Sequence, residues 1–248
     1  MYFEVEGTRL RILATLHAFP VGSVVPQFVS DAAQWADAGC IEHDVQAFQA
    51  YRKLAPGGRL QALLPLDIWN ALSAAWDGPP KIQEDLQSLR PWAAFLQVGM
   101  SRVKLAPGAE AAIGARLAQK GQAFRYIEQA AAVAAGFDAI PEDEVAVAMR
   151  LGLPLVGRAQ EQFDAMFDSW AARDSEAVQS LNDQSPLFGR PAIREAVLVS
   201  RNRAWVESVF QAGNPATNTL LAVGASHCVG PDNFISLLRQ RGLSIREL

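Results

Sequence analysis

The same short pattern occurs near both ends of this chain: an apolar β-rich run, small residues, a histidine, then a loop and a helix-spaced segment. It spans residues 13–31 at the start and 221–238 at the end. Two such units, far apart in sequence, can bury their apolar strands together in a shared sheet with helices packed on its faces. Two further runs, 40–42 and 123–127, also finish at or beside a charged residue. Four predicted strands thus end at His17, Glu42, Glu128 and His227. Strand ends of an open α/β sheet are where ligands bind, so this placement is the first functional signal.

The remaining elements fit the same plan. Residues 2–5 and 10–16, around Gly7-Thr8, predict a hairpin, followed after His17 by a loop with Pro20, Gly22 and Pro26. Helical spacing through Phe28, Ala32 and Trp35 predicts a helix over 26–38, with Pro26 in its first turn and Gly39 as its end. Helices are also expected over 67–76 and 82–96, with Asp77-Gly78-Pro79-Pro80 as the break and Pro91 as a kink or restart. More follow at 108–120, 141–151, 158–172, 193–211 and 231–241, and 243–246 is a closing strand. The expected fold class is α/β (α+β): a central mixed sheet with helices on its faces. A single domain is expected over 1–248, with a mostly helical insertion at about 67–105.

Composition narrows the function. Half the residues are hydrophobic and 19% are charged, enough apolar material for a sizeable core. A net charge of -4 with no basic stripe argues against a nucleic-acid partner. No apolar run approaches the roughly 18 residues of a membrane span, and residues 1–6 lack a leader pattern. The expectation is a soluble cytoplasmic protein acting on a peptide or small molecule, although a trimmed leader would leave the same sequence. Cys40 and Cys228 adjoin apolar runs and are expected as small buried hydrophobes, with a disulfide between them left open.

The chain has three histidines. A lone strand-end histidine is ordinarily a hydrogen-bonded, half-buried residue, but His17 and His227 occupy corresponding strand ends. Neutral imidazole is a common metal ligand, and imidazole with carboxylate suits Zn, Mn or Co. Gly224, Ala225 and Ser226 ahead of His227 permit close backbone approach. His43, next to Glu42, is expected on the opposite face if the strand continues that far, and is read as a structural or surface residue.

These residues resemble a known family. Residues 221–232, Leu-Ala-Val-Gly-Ala-Ser-His-Cys-Val-Gly-Pro-Asp, with Leu237, Leu238 and Gly242, are similar to the closing strand, Gly-x-x-His, turn and helix of TraB/GumN proteins. Residues 13–17 resemble that family's first Gly-x-x-His, with Ala14 for Gly. Trp35 to Ala38 with Ile41-Glu42, Leu89 to Trp92, Gly108 to Glu128, and Ser200-Arg201-Asn202 with Trp205 match further blocks, so the resemblance covers nearly the whole chain. Departures are Ala14 for Gly, Glu110 for Asp, Ser200 for Glu, and a missing Gln after Glu128.

Through its Tiki-type relatives, the resemblance implies a metal-dependent hydrolase of peptide or amide bonds. His17, His227 and Glu42 would hold one divalent ion (Mn, Co or Zn), with Glu42 or Glu128 as remaining ligand or general base. Arg201 would stabilise an oxyanion or clamp a carboxylate, and Asn202 would orient one of these groups. The plainer alternatives are helix capping for Glu42 and Glu128, an interior ion pair for Arg201 and local hydrogen bonding for Asn202. Glu110, in a helix first turn where the dipole favours an acid, is placed outside the core site. The alternative function is a non-catalytic peptide or metabolite binder of the TraB type, or a biosynthetic tailoring enzyme on the same scaffold. A haem or metal carrier of the related ChaN-like kind lacks an axial-ligand pair to support it.

Overall fold

A computed structural model describes residues 1–76 and 80–248, with backbone alone for 80–83. Strand β2 (Leu10–Thr15) is buried along most of its length, as an apolar run with little alternation requires. On one side it pairs antiparallel with β1 (Tyr2–Val5). On the other it pairs parallel with β7 (Thr219–Gly224), Leu13 opposite Ala222 and Thr15 opposite Gly224. β4 (Ala38–Ile41) and β6 (Phe124–Tyr126) continue the parallel part, and β8 (Ile245–Glu247) pairs antiparallel with β1. The mixed six-stranded sheet runs β6-β4-β7-β2-β1-β8, and the fold is α/β.

Helices α1 (Gln27–Trp35), α2 (Val45–Tyr51), α3 (Leu66–Ala75), α4 (Pro80–Gln87) and α5 (Pro91–Gly99) precede α6 (Ala109–Gln119) and α7 (Ala130–Asp138). They are followed by α8 (Glu142–Gly152), α9 (Ala159–Ala171), α10 (Ser175–Gln184), α11 (Pro191–Arg194), α12 (Ser200–Ala212) and α13 (Phe234–Gln240). One hydrophobic cluster joins the sheet to α1, α6, α12 and α13, with Trp170 of α9 donating its indole N–H to Ala14 O at 2.8 Å. A second is built by helices alone, from Leu60, Leu72, Trp92, Met149 and Ile193 among others.

Several boundaries differ from expectation. α1 ends at Trp35, and Gly39 lies inside β4, because the N–H groups of Asp37 and Ala38 already bond Asn218 O at 2.8 and 3.1 Å. Residues 82–96 are two helices, the restart at Pro91 being one of the two outcomes expected: Leu89 bridges Lys53 and Pro91 starts α5 afresh. The break at Asp77-Gly78-Pro79 lies outside the described residues. The loop after His17 contains β3 (Ala18–Pro20), paired with β5 (Leu105–Pro107) in a small second sheet. The last helix starts at Phe234, because Asp232 has φ 53° and Asn233 caps it by accepting from Ser236 N at 2.9 Å. Residues 193–211 are not one α-helix, for a π-helical turn (Glu195–Val199) separates α11 from α12. Both cysteines are free, and burial raises Cys40 to about 11 and Cys228 to about 12. Among the described residues, no helix is long and apolar enough to cross a membrane.

Candidate functional site

Because β6, β4, β7 and β2 run parallel, the residues that follow them gather at one edge of the sheet. Past the end of β6, two more amides hold its chain against the end of β4, Ile127 N–H bonding Ile41 O at 2.9 Å and Glu128 N–H bonding Glu42 O at 3.0 Å. That pairing holds the two carboxylates side by side. β7 ends in a 3-10 turn (Ala225–His227) that turns His227 inward, where it is 3% exposed. The His17 side chain is 65% exposed, so this edge has one wet and one dry imidazole.

Glu42 stands between them. Its Oε1 accepts the Gly224 N–H at 2.6 Å and lies 4.0 Å from His17 Nε2 and 3.9 Å from His227 Nε2. The other oxygen accepts from Arg201 Nη2 at 2.7 Å. Gly224 has φ -54°, a backbone any residue adopts, so its value is room. A Cβ there would stand 3.1 Å from Glu42 Oε1, 3.5 Å from His17 Nε2 and 3.7 Å from His227 Cδ2.

Both imidazoles are fixed through their far nitrogen. His17 Nδ1 meets Glu110 Oε1 at 2.9 Å, and Thr15 Oγ1 donates to that same oxygen. His227 Nδ1 meets Asn202 Oδ1 at 2.7 Å. Asn202 Nδ2 donates to Asp232 O at 3.1 Å, which makes its Oδ1 the acceptor and assigns the His227 proton to Nδ1. The Nε2 lone pair of His227 therefore faces Glu42 and Arg201. Histidine ligands of metals are commonly held in this way, by a side-chain oxygen on the other ring nitrogen.

Charge follows from the same contacts. The surrounding protein works to lower His17, although one side of its ring opens to solvent, but the Glu110 carboxylate and then Glu42 outweigh it and hold the ring at about 9. For His227 burial wins, lowering it to about 3. Burial opposes the ionised form of Glu42, yet Arg201, the raised His17 and the Gly224 N–H keep it well below the usual carboxylate range. Glu128 is raised, by burial and by repulsion from Glu42, against the pull of Arg201.

Arg201 is the interior cation. Its Nε donates to Glu128 at 2.9 Å, Nη2 joins Glu42 and Glu128, and Nη1 reaches Val197 O at 3.1 Å and His227 Nε2 at 3.3 Å. Val197 belongs to the π-helical turn. The guanidinium also lies 4.8 Å from the ring centre of Trp205, whose face in turn packs on His227 at 4.3 Å. With these partners, Arg201 forms the interior ion pair raised as the plainer alternative.

The site thus brings together His17, His227, Glu42, Glu128, Arg201 and Asn202, and one expectation requires correction. Glu110 is not outside the site: the Gly108 backbone packs so tightly on residues 16–17 that a Cβ would lie 2.2 Å from Leu16 O, which sets Glu110 against His17. For His43 the strand does not continue far enough to set a face, since β4 stops at Ile41. Its ring is half-buried 5.1 Å from Phe48, its Nδ1 is buried without a hydrogen-bond partner, and ligand atoms of Glu42, His43 and Glu128 lie within 4.8 Å of one another. Arg201 is wedged between the carboxylates of that trio and neutralises one of their two charges. Ser200, where the resembling family carries an acid, is exposed and donates to Ala196 O at 3.0 Å.

No curated protein and no solved structure matches the chain. The sequence model of the TraB/PrgY/gumN family matches residues 3–247, which includes every strand end and helix that builds this edge. The chain belongs to the TraB/PrgY/gumN family.

Proposed function

We propose that the chain is a metal-dependent hydrolase of amide or peptide bonds, with His17 Nε2, His227 Nε2 and Glu42 Oε1 as the ligands of one divalent ion. The observation that carries this is the double capping of the imidazoles. Each Nδ1 is tied to a side-chain oxygen while each Nε2 approaches the same carboxylate oxygen, over a glycine that leaves the space open. When bound, the ion supplies a Lewis acid able to lower a water's pKa from about 15.7 toward about 7.

The protein's own groups divide the remaining work. Glu110 and Asn202 hold the imidazoles in orientation. Arg201 keeps Glu42 ionised and in place, so Glu42 suits a ligand better than a base. Glu128, with its raised affinity for a proton, suits the proton-transfer role. In the hydrolysis, a water oxygen adds to the carbonyl carbon, the C–N bond breaks, and the amine leaves with a proton that the water gave up. The exposed Ser200, lacking the acid of its family position, favours the second reading of a non-catalytic binder. Metal analysis of wild type, His17→Ala and His227→Ala tests the proposal. The expected result is about one divalent ion in wild type and none in either variant; the same metal-free result for all three overturns it.

A further inference from the structure

A cleft of about 620 Å³ has in its lining the residues next in sequence to both site histidines. These are Leu16, before His17, and Ser226, before His227; the Ser226 Oγ donates to the buried Asn182 at 3.1 Å. Its walls also carry Phe95, Met100, Phe163, Met166 and Phe188. The size falls within the roughly 300–1,000 Å³ of small-molecule sites.

The walls come from α5, the 3-10 segment Leu153–Arg158, α9, α10 and the turn after it. Helical backbone has its own partners, so these walls offer no strand edge on which a peptide main chain could pair. Leu16 O, in the lining, is taken by Ala109 N–H at 3.0 Å. Peptide amides buried along such walls would lose water without replacement, whereas a hydrocarbon chain carries no polar atoms to desolvate. The charged residues of the lining, Arg158 and Glu161, are exposed and pair with each other at 3.1 Å. Nothing there calls for a charged ligand.

We infer that this cleft holds the alkyl chain of an N-acyl substrate, with the amide toward Leu16 and Ser226, the sequence neighbours of the two imidazoles. The position of the amide rests on the hydrolase reading; the preference for a hydrocarbon chain does not. On hydrolysis the water oxygen joins the acyl carbon, the C–N bond breaks, the amine departs protonated, and the carboxylate product retains the chain.

The test is calorimetric titration of the protein with N-hexanoyl-, octanoyl-, decanoyl- and dodecanoylglycine, beside an N-acetylated tetraleucine amide. Affinity should rise about fourfold per methylene until the cleft is full. Gly99 lines the cleft, and a Cβ there meets nothing within 4 Å. Gly99→Phe should therefore shorten the longest chain accepted without changing metal content, and Ala165→Phe on α9 supplies the same check should the first variant misfold. Affinity that does not depend on chain length, or tighter binding of tetraleucine than of dodecanoylglycine, would overturn the inference. A metal-free wild type that keeps the chain-length series would sink the hydrolase reading and leave the acyl cleft standing.

Discussion

Replacing Arg201 with methionine removes the cation while keeping much of the side-chain bulk. Two carboxylates, Glu42 at 7% and Glu128 at 10% side-chain exposure, would then face each other with no guanidinium between them. Removing one partner of a buried ion pair costs about 3–5 kcal/mol, because the remaining charge stays desolvated. With a urea dependence near the upper end of the usual range, about 3 kcal/mol per molar, the unfolding midpoint should fall by about 1 to 1.7 M. Glu128 is the carboxyl whose proton affinity is already raised, so its charge is the cheaper one to remove. Glu128→Gln on the methionine background should recover about 0.5–3 kcal/mol, the usual coupling between contacting groups. Arg201→Lys should fall between wild type and methionine, since an ammonium keeps the charge but loses the planar fork and the contact with Trp205. A methionine variant within about 1 kcal/mol of wild type, or no recovery in the double variant, would refute the view of Arg201 as the cation that lets the two acids coexist.

Gly224→Ala should unfold near the wild-type temperature, since φ is permissive, but take up metal at least about tenfold more weakly as its methyl enters the space between Glu42 and His17; unchanged uptake in a metal titration would remove the open-cradle argument. Asn202→Ala should cost about 1–3 kcal/mol in chemical denaturation by leaving the buried His227 N–H unpaired. Glu110→Gln should drop His17 in the metal-free protein from about 9 toward its ordinary 6.5, read by NMR titration of the ring. Because the folded value is raised, the His17–Glu110 pair stabilises fully below about 6.5 and is lost as pH rises through 9. The variant should therefore be less stable than wild type at pH 6 and nearly equal to it at pH 10, and equal losses at both would contradict the pairing.

Much of this arrangement was legible in the residues because two chemistries coincided there. Apolar runs made the strands, and polar groups followed them at their ends, so His17, Glu42, Glu128 and His227 declared themselves as strand termini. Arg201 and Asn202 were visible only through the family resemblance; helical spacing alone reads that stretch as core packing. Glu110 was misplaced because an acid in a helix first turn satisfies a local rule, while its actual partner is fixed by a distant backbone contact at Gly108. The side taken by His43 depends on whether the strand reaches it, and a strand of four residues gives too little pattern to fix its end. β3 and β5 escaped notice as three-residue strands containing proline, too short to show a period.

The wide turn at Glu195–Val199 has a consequence for how the family position of Arg201 can vary. Each residue in an α-helix advances the side-chain direction by about 100°. Deleting one residue from that turn would leave a continuous helix, yet swing Arg201, Asn202 and Trp205 together by about a quarter turn away from Glu42 and His227. The phase of one helix is thus a single control over guanidinium, amide and indole alike, and a one-residue change in length could disarm the edge without touching any residue that forms it.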